Sequence, residues 1–392
     1  MTLPLEGIKI VSLGVSISGP VGLRHLADFG AEVIKIEVPE KGDMVRHWDN
    51  VVNGEGSVHF WVNPNKKSLT LNLKDIKGKE ILNKLILDAD IFLENFSPGS
   101  IDRLGYDYKN VKAMKKDIIY VHTSGYGQDG PYKSMKAFDG LIQAETGIIE
   151  MTGSKQEPAK MALSICDGVT GLFVALSCMM ALKQRDIDGS GQEIDVSMFD
   201  CMVSMLGYFP FHFFQNDYIP ERIGTGHHLL APYGAYPAKN DKLIAIACAS
   251  EVTWHNFARA LDREEWISDS RFSSNSKRYN NLDALLEVFL PVLKTKDREE
   301  WRKTFLEFGV PCGCVNSLDE VCNHPQAISR EIFKEVKGQY GNIKMCKFPV
   351  LFNNIEPLLE QPPLLGEHTD IILNKLGISE EEIQKYKEEG II

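Results

Sequence analysis

Several places in the chain carry residue types whose spacing suggests chemistry. Gly125-Tyr126-Gly127-Gln128-Asp129-Gly130 fits G-x-G-x-x-G and follows a strand-like run, as a dinucleotide-binding turn would. Such a turn must open an apolar helix whose N-terminus faces a pyrophosphate. Pro131-Tyr132-Lys133-Ser134 does not continue as one, so a tight glycine turn is the better reading. Asp167 stands directly ahead of an apolar run at helical spacing. From spacing alone an N-cap is the stronger reading, with the carboxylate accepting free backbone N–H groups. Those donors and the helix dipole also favour an ionised carboxylate. An ionised carboxylate facing a pocket is a competent nucleophile, so capping and catalysis are compatible. Cys166 lies beside it, without an identifiable histidine partner that would make it a nucleophile. His227 and His228 are adjacent, so their side chains point differently, and a loop or core role outweighs metal binding. The aromatic residues Tyr208, Phe209, Phe211, Phe213 and Phe214 read as core or subunit interface before they read as a ligand box.

The elements that must position these residues alternate. Residues 8–13, 32–36, 68–73, 89–93 and 118–122 are short β-branched or apolar runs. Helical segments are predicted at 21–29 and at 75–87, the latter with Ile81, Leu82, Leu85 and Ile86 on one face. Strands alternating with helices imply a parallel sheet with helices packed on its faces. A long helix is predicted over 168–183, closed by the polar, glycine-bearing 186–191, then a strand at 193–196 and a helix at 197–206. From about Arg222 the character changes. Residues 233–247 read as a hairpin turning at Asn240-Asp241, followed by helices near Trp254 and at 282–293. The chain ends on two helical stretches, 371–376 and 379–389.

Composition sets limits. Of 392 residues, 43% are hydrophobic and 25% charged, as in an ordinary soluble protein of more than one core. The formal net charge of −11 argues against nucleic-acid binding, since no basic surplus exists to neutralise phosphates. The longest apolar stretch, 171–182, is short for a membrane span, and no secretory signal is expected at the N-terminus. Of the eight cysteines, Cys178, Cys201 and Cys248 lie inside apolar segments, and Cys312 and Cys314 are separated by one residue, which is no zinc spacing. A reduced cytoplasmic protein without a metal is the expectation.

A larger pattern runs through the chain. Leu5-Glu6-Gly7-Ile8-Lys9-Ile10-Val11, Gly19-Pro20 and Gly30-Ala31-Glu32-Val33-Ile34-Lys35-Ile36-Glu37 open it. Asn65-Lys66-Lys67-Ser68-Leu69, Ala89-Asp90-Ile91 and Glu94-Asn95-Phe96-Ser97-Pro98-Gly99 follow. Then come Ser124 to Pro131, Phe138-Asp139-Gly140, Gln143, Asp167-Gly168, Gly189-Ser190-Gly191-Gln192 and Gly309-Val310-Pro311. In this order they resemble the class III CoA transferases, the family of formyl-CoA transferase and carnitine CoA-transferase.

The resemblance implies an α/β fold. A large Rossmann-like CoA-binding domain would be built from residues 1–221 and 331–392, and a smaller α+β domain from 222–330, in an interlocked homodimer. It implies transfer of coenzyme A from an acyl-CoA donor to a small carboxylic acid, with no permanently bound cofactor. Asp167 would be the nucleophile, passing through an aspartyl anhydride and an aspartyl-CoA thioester. Matching positions assign Leu71, Lys74, Asn95, Phe96, Arg103, Lys136, Asp139 and Met198 to the coenzyme site. Gly224 and Gly226, with Phe138, would belong to the substrate and its covering loop. The chain also resembles the α-methylacyl-CoA racemases, which use a histidine immediately before the aspartate matching Asp139. Here that residue is Phe138, which carries no proton. A CoA-binding protein without turnover is a further reading, to which the retained Asp167-Gly168 lends no support.

Overall fold

Strands of a parallel sheet are covered on both faces, so they read as nearly continuous apolar runs. The first third of the chain supplies them: β1 (Lys9–Ser12), β2 (Glu32–Glu37), β3 (Lys67–Thr70), β4 (Ile91–Glu94) and β5 (Ile119–Ser124), joined later by β6 (Glu193–Ser197). In the computed structural model, which describes residues 2–392, they form one six-stranded sheet in the order β3-β2-β1-β4-β5-β6. All pairs are parallel. The chain winds outward from β1 in one direction and from β4 in the other. The crevice at the carboxyl ends of β1 and β4 is therefore the topological switch point, where open sheets of this kind bind ligands.

One face of the sheet is covered by the helix Ile76–Asp88 and the two C-terminal helices, Thr369–Lys375 and Glu380–Glu388. Leu82, Ile86, Phe92, Tyr120 and Leu373 are buried together there. The long helix Ile165–Asp188 packs against Ser18–Ala27. Their crossing is close because two glycines meet. A Cβ on Gly22 would lie 2.7 Å from the Gly171 carbonyl oxygen, and one on Gly171 would lie 3.0 Å from the Gly22 nitrogen.

The long helix exceeds its predicted 168–183. It begins three residues earlier and runs through Asp188 to Gly189, whose φ of 73° ends it in the left-handed region. At 24 residues it is, by length and composition, apolar enough to cross a membrane, which corrects the expectation drawn from 171–182. Half of that apolar stretch is buried inside the protein, as in the core helix of a folded domain.

The chain divides into two compact units, one of Met1–Gly147, Met161–Gly207 and Ile328–Ile392, the other of Ile148–Lys160 and Tyr208–Ala327. The first also holds an antiparallel pair, β10 (Phe333–Gly338) and β11 (Gly341–Cys346), which no sequence pattern announced. The second is built on a three-stranded antiparallel sheet of β7 (Tyr233–Pro237), β8 (Leu243–Ala247) and β9 (Cys312–Cys314). The expected hairpin is present, its turn placing Asn240 and Asp241 at φ 61° and 58°. Trp254, Phe257, Phe272, Phe289 and Phe305 form the core of this unit.

Candidate active site

Asp167 is the third residue of its helix, and the N-cap position falls to Ser164, whose side chain does not cap. The expected N-cap role is therefore corrected. Another carboxylate takes the free N–H groups. Asp139 Oδ1 accepts the Cys166 N–H at 2.7 Å and, less closely, the Asp167 N–H at 3.4 Å. Asp139 opens the helix Asp139–Glu145, and one turn on, Gln143 Nε2 donates to Asp139 Oδ2 at 2.6 Å. Gln143 is fully buried, and its Oε1 accepts the Met161 N–H at 2.9 Å. The Asp139 carboxylate is thus locked between a side-chain amide and a helix start.

Asp167 itself is 9% exposed, and among the described residues nothing donates a hydrogen bond to its carboxylate. Burial, and then the negative charge of Asp139, push its pKa up to about 7. The expected N–H stabilisation of the anion is absent because Asp139 has claimed those donors. The result is a basic, unsolvated carboxylate, more nucleophilic when ionised than an ordinary surface aspartate. Cys166 is a different case. Burial and the charges of Asp139 and Asp167 push its thiol up to about 12, so at neutral pH it is a protonated thiol rather than a nucleophile.

A second feature lies at the carboxyl ends of β1 to β4. A cavity of about 860 Å³ is walled by Val15, Val38, Leu71, Leu73, Lys74 and Phe96, among others. Three of the coenzyme positions expected from the sequence, Leu71, Lys74 and Phe96, meet there. Asn95 adjoins them with its amide engaged. Its Nδ2 donates to the Val15 carbonyl at 2.7 Å and its Oδ1 accepts the Val15 N–H at 2.8 Å. It fixes the loop between β1 and the first helix. That loop is further held by Asp43, whose carboxylate accepts the Ser16 N–H at 3.1 Å.

The remaining expected residues lie apart from that cavity's lining. Arg103 is exposed and donates to Ser100 Oγ at 2.8 Å, Lys136 is exposed in the loop after β5, and Met198 is buried at the start of the helix Met198–Ser204. Phe138, beside Asp139, is 60% exposed. In the other unit, Gly224 and Gly226 line a cavity of about 730 Å³. His227 there accepts the Leu229 N–H at 3.0 Å, and His228 packs edge-on against Phe209. No group of three or more His, Cys, Asp or Glu among the described residues is placed to hold a metal ion. The stretch 125–130 is a turn. The Gly127 N–H donates to Ser124 Oγ at 2.9 Å and the Gln128 N–H to Asp195 Oδ2 at 2.7 Å, and no helix follows until Asp139. Sequence reasoning gave no site role to three contributors, Gln143 having entered only as part of the family pattern. Gln143 stands at i+4 from Asp139, a spacing that could have signalled the pair, whereas the C-terminal residues Lys387 and Ile392, which also wall the first cavity, carry no local signal.

The model of CoA-transferase family III matches residues 5–369. The chain belongs to CoA-transferase family III. Among curated relatives, the succinyl-CoA:glutarate CoA-transferase of Homo sapiens is 31% identical, covering 95% of this chain and 86% of the relative. The formyl-CoA:oxalate CoA-transferase of Shigella sonnei is 30% identical over the whole of both chains. An acyl-CoA transferase of Fusarium pseudograminearum is 35% identical, covering 99% of this chain and 88% of the relative. Among solved structures, a CaiB/BaiF family protein from Brucella suis superposes with a TM-score of 0.86 at 30% identity, covering 96% of this chain and all of the other. This family III chain is accordingly an enzyme of the CoA-transferase class, whose substrates are CoA thioesters. The racemase reading is not favoured, since the named relatives are transferases and Phe138 supplies no acid–base group beside Asp139.

Proposed function

We propose that this enzyme moves coenzyme A from an acyl-CoA donor to a small carboxylic acid, with Asp167 as the covalent nucleophile. The observation that carries the assignment is the Asp167 carboxylate, which receives no hydrogen bond among the described residues and is made basic by burial and then by the charge of Asp139. An Asp167 oxygen attacks the donor thioester carbonyl, the C–S bond breaks, and an aspartyl anhydride and CoA thiolate result. The thiolate attacks the aspartyl carbonyl, giving an aspartyl-CoA thioester and releasing the donor acid as its carboxylate. The acceptor carboxylate then attacks that thioester, and the expelled thiolate takes the acceptor's acyl group from the new anhydride, restoring Asp167. A carboxylate suits this sequence because its anhydride conserves the energy of the thioester, which a serine ester would not.

The larger unit is read as the CoA-binding domain, with Leu71, Lys74 and Phe96 around the nucleotide end of the coenzyme. Asn95 acts by shaping the Val15 loop. Arg103, Lys136 and Met198 are kept as further coenzyme contacts, and the Gly224–Gly226 loop as a cover for the reacting carbonyl. We also read the protein as a homodimer, interlocked as in the family it resembles. Leu172, Leu176, Met179 and Met180 form an exposed apolar stripe along the long helix, which favours burial by a second copy. The eight unbonded cysteines suit the reducing cytoplasm.

Intact-mass spectrometry after incubation with a panel of acyl-CoA thioesters tests the mechanism. Wild type should gain a CoA-sized, hydroxylamine-sensitive adduct that maps to Asp167, and Asp167→Ala should gain none. An adduct of the same size persisting in Asp167→Ala would remove Asp167 from the nucleophile's role.

A further inference from the structure

The cavity at the switch point is closed on one side by the end of the chain. Asn72 N–H donates to the Ile391 carbonyl at 2.7 Å, and the Ile391 side chain is 2% exposed. This anchors the last helix, Glu380–Glu388, so that Lys387 and Gly390 stand in the cavity wall opposite the strand ends. The charges around the cavity are uneven. Two carboxylates in its wall are neutralised inside the protein, Glu37 by Arg46 and Asp43 by Lys35. Glu40 lies at the exposed rim. Two cations remain for a ligand. Lys74 makes no ion pair among the described residues, and Lys387 donates to Asp370 at 2.6 Å in a pair whose side chains are 45% and 53% exposed. An exposed pair of this kind is weak and exchangeable. A phosphate, carrying more charge and more acceptor oxygens than Asp370, displaces it readily.

We propose that Lys387 is a specificity residue for the nucleotide end of coenzyme A, exchanging Asp370 for a phosphate of the ligand. This rests on the CoA-transfer reading and adds a residue from the far end of the chain to the coenzyme site. Lys387 selects between a CoA thioester and the same acyl group on a carrier without the nucleotide. Asp370 holds the lysine in place in the empty enzyme and competes with the ligand for it.

Calorimetric titration of the full-length protein with CoA and with pantetheine, which lacks every phosphate, tests this. Lys387→Met should weaken CoA about tenfold and leave pantetheine unchanged. Asp370→Asn, which removes the competitor, should tighten CoA about twofold to threefold, a gain that structural damage does not produce. Equal CoA affinity in wild type and Lys387→Met would overturn the assignment. If Lys387→Met does not fold, Asp370→Asn decides alone, and CoA binding no tighter than wild type then overturns it. Wild type that fails to bind CoA would strike instead at the CoA-transfer reading itself.

Discussion

Two buried carboxylates of the larger unit, Glu37 and Asp167, differ in their hydrogen-bond donors and in the charge of their neighbours. At the end of β2, Glu37 is 4% exposed and receives two hydrogen bonds from Arg46 at 2.9 Å, one from Ser68 Oγ at 2.6 Å and one from the Asp43 N–H at 3.1 Å. Burial opposes its ionisation, but the Arg46 hydrogen bonds and the charges of Lys35 and Arg46 outweigh it and hold the pKa down to about 2. At the start of the long helix, Asp167 is nearly as buried, yet its charged neighbour is Asp139, and its pKa is pushed up to about 7. Similar burial gives opposite outcomes because one site contains a matched cation and the other a second anion. The paired cluster shapes the loops around the cavity. The unpaired one carries an electrostatic cost that neutralising its charge relieves.

The sharpest way to break the comparison is to unpair the first cluster. Arg46→Met leaves Glu37 buried without its cation, and removing one partner of a buried pair costs ~3–5 kcal/mol. Because the folded pKa of Glu37 lies below its ordinary 4.5, its contribution is complete above that value and fades as pH falls toward about 2. The destabilisation by Arg46→Met should thus be full at pH 7 and shrink in acid, as denaturant melts at pH 7 and pH 3 would show. A loss equal at both would mean that Arg46 acts through packing alone.

The same contrast predicts that Asp167 costs the protein stability. The folded pKa of Asp167 lies above its ordinary 3.8, so its protonated form is favoured by folding, and stability is lost as pH rises from about 4 through about 7. Asp167→Asn removes that dependence while preserving shape. Relative to the wild type, it should gain ~2–3 kcal/mol between pH 5 and pH 8. Melting curves of both proteins at the two pH values measure the gap. A constant difference would show that the carboxylate titrates as an ordinary surface aspartate.

How far these sites were legible in the sequence follows from how local their causes are. The sheet was legible because a buried parallel strand needs an apolar run such as Ile10-Val11 and a helix after it, here Ser18–Ala27, both set within a few residues. The hairpin was legible because Asn240-Asp241 tolerates positive φ. Asp167 as nucleophile came from the resemblance, while its expected capping role came from spacing and was wrong. Spacing sees residues ahead of a helix, and the group that caps this one, Asp139, stands 28 positions upstream of Asp167. The helix limits failed for a similar reason. The polar residues of 184–188 look like a loop but remain helical, supported by Arg185 pairing with Asp90 at 2.8 Å, a partner fixed by the β4 register. The cavity wall at Lys387 depends on a contact between residues 72 and 391, which no window on the sequence contains.

The smallest expected effect separates the two parts that Asp139 plays. It caps the helix through Oδ1 and raises the Asp167 pKa through its charge, and Asp139→Asn keeps an acceptor oxygen while deleting the charge. Gln143 can still meet the new amide if its own amide turns, although it then gives up the oxygen that receives the Met161 N–H. Burial, the larger cause, remains, so Asp167 stays above the ordinary aspartate value. The pH at which acylation by an acyl-CoA reaches half its plateau should move toward acid by up to about one unit. The plateau itself should change less than the position of the curve. Stopped-flow or quench measurement of adduct formation from pH 5 to pH 9 reads both quantities. A curve that keeps its midpoint while its plateau falls would mean that Asp139 serves only to hold the helix start, and that burial alone makes Asp167 basic.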